Sequence, residues 1–192
     1  MKAELRIALI VGQVGRGRRD GQGARRRAAI GVDAPAYTAK MRTPFAVLGI
    51  RTMGTAITGI EYLPLGERVL APTVALAERA CRQLERYLGD PEFRFRLPLA
   101  PGGTAFRQRV WQALSKIPVG ESRMYGELAR ELHSAPRAVG GACAANPIAL
   151  IIPCHRVVGT HGSLGGFMGV TEGGPIAIKR WLLAHEGYRF GA

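Results

Sequence analysis

Between Pro44 and Gly66, apolar residues alternate with small ones on either side of a Met53-Gly54 pair, the pattern of a β-hairpin closed by Pro64 and Gly66. From Pro72 to Gly89 the period lengthens. Val74, Ala77, Cys81, Leu84 and Leu88 share one helical face, with Thr73 placed to cap the amino end and Gly89 to stop the helix. Cys81 on that stripe reads as an inert core thiol. Residues 97–104 hold two prolines and two glycines and mark a linker. The expected division is a basic flexible arm at 1–40, a small α/β domain at 41–100 and a mostly helical domain at 101–192.

Beyond the linker the helical period dominates. Thr104 caps a segment with Phe106, Val110, Trp111 and Leu114 inward, and Pro118-Val119-Gly120 ends it. A second helix runs from about Tyr125 to Leu132, His133-Ser134-Ala135 makes a turn, and Pro136 opens a third. Two short helices about a tight turn make a helix-turn-helix outline, whose second helix enters a DNA groove. Here that helix offers Arg137 and then Gly140, Gly141, Ala142, Ala144 and Ala145, with almost no long polar side chains to read base edges.

Charge sharpens this picture. The 192 residues carry 27 Lys and Arg against 14 Asp and Glu, a formal +13, and such a field attracts polyanions by displacing phosphate counterions. Residues 1–40 carry 9 basic and 3 acidic groups without periodicity, so they read as a solvated tail, or as sequence upstream of a true start at Met41. At 47% hydrophobic the chain has apolar content for real cores. Its three cysteines, at 81, 143 and 154, show no CxxC spacing, which argues against a disulfide scaffold or zinc ribbon and for a reducing, cytoplasmic compartment. No stretch is apolar enough to span a membrane, and the Ile7–Val11 run is too short for a secretory signal.

The apolar run from Pro147 to Pro153 ends in Cys154-His155-Arg156. A free thiol is only a few per cent ionised at neutral pH, so a cysteine nucleophile needs a basic or hydrogen-bonding partner, which His155 or Arg156 could supply. On spacing alone, a reactive thiol and a packed one both stay open. Glu186, before Gly187, sits at a helix carboxyl end where the macrodipole disfavours an acid, which points to a functional reason for it.

These segments resemble one family. Asn146-Pro147, then Ile152-Pro153-Cys154-His155-Arg156-Val157, a Gly-rich loop, and Lys179-Arg180-Trp181 through His185-Glu186-Gly187 are similar to the active-site signature of the O6-alkylguanine-DNA alkyltransferases. Tyr125-Gly126-Glu127-Leu128-Ala129 and Arg137-Ala138-Val139-Gly140-Gly141-Ala142 match upstream, so the resemblance runs from about Thr104 to Gly187.

The resemblance implies an α+β chain: a small ribonuclease-H-like antiparallel sheet domain with a helix, then a mostly helical, winged helix-turn-helix-like domain that binds DNA and carries the chemistry. Cys154 would take the alkyl group from guanine O6 by direct displacement and keep it, in a single turnover. O4-alkylthymine would be a weaker substrate. A relay of Cys154, His155, water and Glu186 would make the thiolate, Asn146 would shape the turn, and Tyr125 would help turn out the nucleotide and hydrogen-bond the departing guanine. Because the target atom lies inside the duplex, the base must be flipped. Arg137 would fill the space it leaves, with Tyr125, Ala138, Gly141, Ala142, Cys143 and Arg156 also at the DNA. Pro153, Leu164, Gly165, Phe167 and Met168 would line the substrate pocket. Cys143 reads there as a spectator thiol, and no metal site, cofactor, membrane contact or second subunit is expected.

The sequence departs from the family pattern in a long loop, Gly159 to Gly174, and in Phe167, where many relatives have tyrosine. The competing readings are a thiol hydrolase, for which no second partner is evident, and a non-enzymatic DNA-binding protein, either a helix-turn-helix regulator or an alkyltransferase-like damage sensor. Such sensors resemble the family but lack the cysteine, so Cys154 stands against that reading.

Overall fold

The computed structural model describes residues 36–160 and 163–190, so the basic arm expected at 1–40 lies outside the described residues up to residue 35. Three antiparallel strands form a meander: β1 (Ala39–Arg42), β2 (Val47–Met53) and β3 (Ala56–Leu63). The hairpin expected around Met53-Gly54 is β2 and β3, with Gly54 in the left-handed region at φ 56°. The β1–β2 turn is fixed by Thr43, whose hydroxyl donates to the Ala46 carbonyl at 2.9 Å and accepts from the Ala46 N–H at 3.1 Å. The sheet starts earlier than the sequence pattern suggests, since Ala39 and Lys40 pair with Ile50 and Gly49. Gly49 leaves room for the Tyr37 ring: a Cβ there would lie 2.5 Å from it.

Helix α1 (Ala75–Gly89) covers one face of the sheet. Its buried positions are Ala77, Ala80, Leu84 and Tyr87, a stripe turned from the one read in the sequence. Val74 is exposed, and Cys81 and Leu88 are half-buried at the margin. The expected Thr73 cap is also corrected. Val74 stands at the cap position without a side-chain bond, and the Thr73 hydroxyl donates to the Thr38 carbonyl, tying the helix entry to the strand instead. Burying Leu48, Ile50, Ile57, Ile60 and Leu84 completely contributes about 1.5–3 kcal/mol for each side chain.

The outer edge of β3 is occupied twice. Ile57 bonds Pro98 and Ala100 of the Pro/Gly-rich segment, and Ile60 bonds Pro147 and Ala149 of the apolar run. The segment at 97–104 is thus a strap along the sheet as well as a connection, and the described residues fall in one compact unit. Both contacts cover a strand edge that would otherwise offer free backbone groups.

The remaining helices are α2 (Ala105–Leu114), α3 (Tyr125–Glu131), α4 (Pro136–Ala144) and α5 (Gly174–His185). Thr104 caps α2 by accepting from the Arg107 N–H at 3.3 Å. Val110, Trp111 and Leu114 are buried as expected, Phe106 is only half-buried, and the helix stops at Leu114, ahead of Pro118. The Trp111 indole donates to the Ala142 carbonyl at 2.9 Å and locks α2 to α4. A parallel pair of two-residue strands, β4 (Arg123–Met124) and β5 (Val157–Val158), joins the start of α3 to the end of the apolar run. Among the described residues no helix is long and apolar enough to cross a membrane.

Candidate active site

Between α4 and β5 the chain folds into a tight irregular turn, and Asn146 holds it. The Asn146 side-chain amide donates to the Ile152 carbonyl at 2.8 Å and reaches Cys154 Sγ at 3.4 Å, while its oxygen accepts from the Ile148 N–H at 3.1 Å. Within the turn Leu150 sits at φ 70°, a left-handed conformation costing a bulky residue about 1–3 kcal/mol. That strain is held by the anchoring of both flanks, at Ile60 and at Asn146. Residues Cys154–Arg156 form a single 3-10 turn that buries Cys154 and His155.

Behind the thiol, His155 Nε2 lies 3.0 Å from Glu186 Oε1. Glu186 caps the end of α5 and is buried, and it is crowded with donors: the Tyr87 hydroxyl at 2.7 Å and two guanidinium nitrogens of Arg156 at 2.8 Å each. Burial alone would raise the acid, but the hydrogen bonds and charges of His155 and Arg156 prevail and hold it at about 2. Burial lowers the His155 pKa against the pull of Glu186. A neutral imidazole facing a carboxylate carries its proton on that side, so Nε2 is the donor and Nδ1 is left as the base.

Lys179 stands in the sequence only as one member of a motif, yet it is fully buried. Its ammonium donates to the carbonyls of Val157 and Leu164 at 2.5 Å each and of Gly166 at 3.1 Å, clasping the Gly-rich loop to β5. Burial lowers its pKa to about 8, opposed by the neighbouring thiols of Cys154 and Cys143. The signal that marks it is its place on α5, three and four residues before the buried Leu182 and Leu183, where a charged residue needs a reason to face inward. Tyr87 escapes sequence reasoning altogether, because it meets Glu186 across 99 residues of chain.

Cys154 lies at a cavity of about 610 Å³ whose wall also includes Tyr125, Arg137, Gly140, Cys143 and the loop from Gly166 to Thr171. The expected pocket residues Phe167 and Met168 line it. Pro153, Leu164 and Gly165 do not, and the wall is shifted along the loop. Pro153 is buried, and the Leu164 carbonyl is held by Lys179. Gly165, at φ 64°, passes so close to Tyr125 that a Cβ would lie 2.9 Å from its ring. The Tyr125 hydroxyl donates to the Gly166 carbonyl at 2.9 Å, and burial holds the phenol well above its ordinary pKa.

On α4 the exposed positions are Pro136, Arg137, Ala138, Gly141 and Ala144. Ala142 and Cys143, expected at the DNA, face inward: the first packs at Trp111 and the second borders the cavity. The helical step explains this, since Arg137, Gly141 and Ala144 share a face that excludes 142 and 143. Arg156 is also corrected. Besides Glu186, its guanidinium donates to the Ile117 carbonyl at 2.6 Å, so it braces the buried carboxylate instead of pointing outward.

The three thiols differ in setting. Burial raises Cys81 to about 11 and Cys143 to about 12. Burial raises Cys154 too, but the Asn146 hydrogen bond, the Lys179 charge and backbone N–H groups oppose it, so Cys154 is the thiol equipped to carry negative charge. Among the described residues, no group of three or more His, Cys, Asp or Glu side chains is arranged to hold a metal ion.

Comparison with known proteins shows what the chain is similar to. Residues 105–188 match the family model described as 6-O-methylguanine DNA methyltransferase, DNA binding domain. A methylated-DNA-protein-cysteine methyltransferase of Mycobacterium leprae is 42% identical over 153 residues, covering 76% of this chain and 89% of that protein. One from Haemophilus influenzae is 40% identical over 152 residues, covering 75% and 82%. Among solved structures, Mycobacterium tuberculosis OGT in complex with DNA superposes with a TM-score of 0.67 at 39% identity, covering 80% of this chain and 94% of that one.

Proposed function

This chain belongs to the family of methylated-DNA-protein-cysteine methyltransferases, and we propose that within it Cys154 is the acceptor of the alkyl group. The protein repairs DNA directly, moving the alkyl group of O6-alkylguanine onto its own cysteine in a single turnover. The observation that carries the assignment is that Cys154 opens on the cavity beside Arg137 and Tyr125 while the His155–Glu186 pair lies directly behind it.

In this reading the Cys154 proton passes through a water to His155 Nδ1, and Glu186 stabilises the imidazolium that forms. The thiolate, steadied by the Asn146 amide and the Lys179 charge, attacks the alkyl carbon. The S–C bond forms as the C–O6 bond breaks, and the electron pair leaves on the guanine, which Tyr125 stabilises by hydrogen bonding. Tyr125 exchanges its bond to Gly166 for one to the base. Arg137 enters the stack and offsets the cost of flipping the nucleotide, a few kcal/mol. The small exposed residues of α4 let its backbone approach the duplex without reading sequence. The sheet with α1 is read as the ribonuclease-H-like part, and α3 and α4 as the winged helix-turn-helix. O4-alkylthymine is the weaker substrate, and the protein acts as a cytoplasmic monomer.

Intact mass after incubation with a duplex carrying one O6-methylguanine, followed by peptide mapping, tests this. One methyl per protein on the Cys154 peptide, absent in Cys154→Ala, is the expected result. Transfer persisting in that variant, or tight binding without any mass gain, overturns it.

A further inference from the structure

Among the described residues, two buried side-chain polar atoms have no hydrogen-bond partner: His155 Nδ1 and the hydroxyl of Tyr62. The first is the base the relay requires. The second has no role in the chemistry so far described, and a buried hydroxyl without a partner is disfavoured enough to need a reason.

Tyr62 belongs to β3, opposite Leu48 of β2. Two residues before it, Ile60 donates to the Pro147 carbonyl at 2.8 Å and accepts from Ala149 at 3.0 Å, so the strand is fastened to the turn that presents the nucleophile. The ring is fixed on two sides, edge-on to Phe45 at 6.1 Å and tilted against Phe167 at 5.8 Å, and Phe167 is itself a wall of the cavity. The groups that bear electrostatically on the phenol are Cys154, Tyr87 of α1 and Glu186 at the end of α5. A phenylalanine could make the same ring contacts, so the hydroxyl is the feature left unexplained by packing.

We propose that Tyr62 is a positioning residue for the ionisation of Cys154, its hydroxyl and His155 Nδ1 together holding the water through which the thiol loses its proton. A buried water typically makes about three hydrogen bonds. Here the water oxygen accepts from the Tyr62 O–H and from the Cys154 S–H, and one water hydrogen is donated to Nδ1. On ionisation the S–H bond breaks, its proton joins the water, and a proton of that water bonds to Nδ1. The Tyr62 O–H bond stays intact throughout and fixes where the water sits. The third strand of the sheet thereby takes part in activating a nucleophile that lies nearly a hundred residues further along the chain.

This inference rests on the reading of Cys154 as the acceptor. The charged and titratable groups around that thiol are Lys179 from α5, Cys143 from α4, Tyr125 from α3, Tyr62 from β3, and His155 and Arg156 beside it in the chain. Burial keeps both phenols protonated across the working range, so the acidic limb of a rate profile reports the thiol and imidazole.

The test is Tyr62→Phe in the full chain, with single-turnover transfer measured against pH on methylated duplex and on free O6-benzylguanine, alongside thermal melting and duplex binding. With both substrates the expected rate is about tenfold lower on the acidic limb, the limb is displaced by about one unit to higher pH, and the rates converge on the alkaline plateau. Duplex affinity and melting temperature do not fall. A profile superimposable on that of the parent overturns the proposal, as does a uniform, pH-independent loss with a lower melting temperature, which would make Tyr62 a packing residue. Absence of transfer by the parent chain itself would instead overturn the reading of Cys154, and this inference with it.

Discussion

Two regions flank the candidate nucleophile and follow opposite rules. The outward face of α4 is Pro136, Arg137, Ala138, Gly141 and Ala144, and apart from the arginine its side chains are small. Behind Cys154, by contrast, one carboxylate accepts from Tyr87, His155 and Arg156, and one ammonium donates to three carbonyls. The face proposed to meet DNA depends on what is missing, so its residues should act almost independently. The buried relay depends on shared partners, so removing one member leaves several groups unsatisfied and effects there do not add.

The largest effect that this contrast predicts is at Glu186. Glu186→Gln leaves the Arg156 guanidinium facing a neutral amide, and breaking a buried pair costs about 3–5 kcal/mol. Transfer should fall by about 10²–10⁴ with duplex affinity nearly unchanged, as seen in single-turnover rates, denaturant midpoints and binding curves. The pH dependence has a definite sign. The folded value of about 2 lies below the ordinary 4.5, so Glu186 contributes stability that is full above the unfolded value and lost as pH falls through the folded one. The gap between parent and variant should therefore close between about pH 4.5 and 2. A gap independent of pH would show that the carboxylate charge is not what matters.

Lys179→Met comes next. It leaves the carbonyls of Val157, Leu164 and Gly166 without their buried donor and takes the positive charge from beside Cys154. We expect transfer about 10- to 100-fold slower and a stability loss of about 2 kcal/mol or more, from stopped-flow rates and urea unfolding. The sign here is the reverse of that at Glu186. Lys179 sits at about 8 when folded against 10.5 unfolded, so the unfolded chain holds more protons in that window and the cost of burying the charge is relieved as pH rises. The variant should lack this alkaline gain.

How much of this is legible in the sequence follows the same division. Asn146, Cys154 and His155 lie within ten residues, and the bond from Asn146 to Cys154 is local, so the motif carries them. The α4 segment is legible as poor in readers, but a motif match does not give its phase, and the inward facing of Ala142 and Cys143 follows only from the helical step counted from Arg137. Arg156 is placed at the DNA by the resemblance, whereas its partner Glu186 lies 30 residues away, beyond the reach of a local motif. Tyr87 carries no local signal, since its partner Glu186 comes from the far end of the chain, and nothing near Tyr62 in sequence announces that its ring meets Phe167. In α1 the apolar period points to Val74, Cys81 and Leu88, whereas the buried stripe includes Tyr87, the residue that reaches Glu186.

Arg137→Ala moves the test to the outer region. Arg137 is exposed, so its loss should hardly change stability or the reaction with free O6-benzylguanine. Repair in duplex should slow by about 10- to 100-fold if Arg137 is the group that fills the vacated stack. Equal slowing on both substrates would place Arg137 inside the relay's influence and erase the contrast between the regions.

The smallest effect is the most discriminating. Gly141 lies inside α4, exposed, with ordinary helical φ, and a Cβ added there would meet no atom within 4 Å. For the isolated protein, Gly141→Ala should therefore stabilise by about 0.5–1 kcal/mol, since alanine gives up less backbone freedom on folding. If small residues are there to let the backbone approach DNA, the same methyl should weaken duplex binding severalfold while leaving the free-base reaction untouched. A rise in melting temperature with lower duplex affinity would show that the helix gives up stability for contact. A rise in both would mean that α4 does not come that close, and that Arg137 alone carries the work of this face.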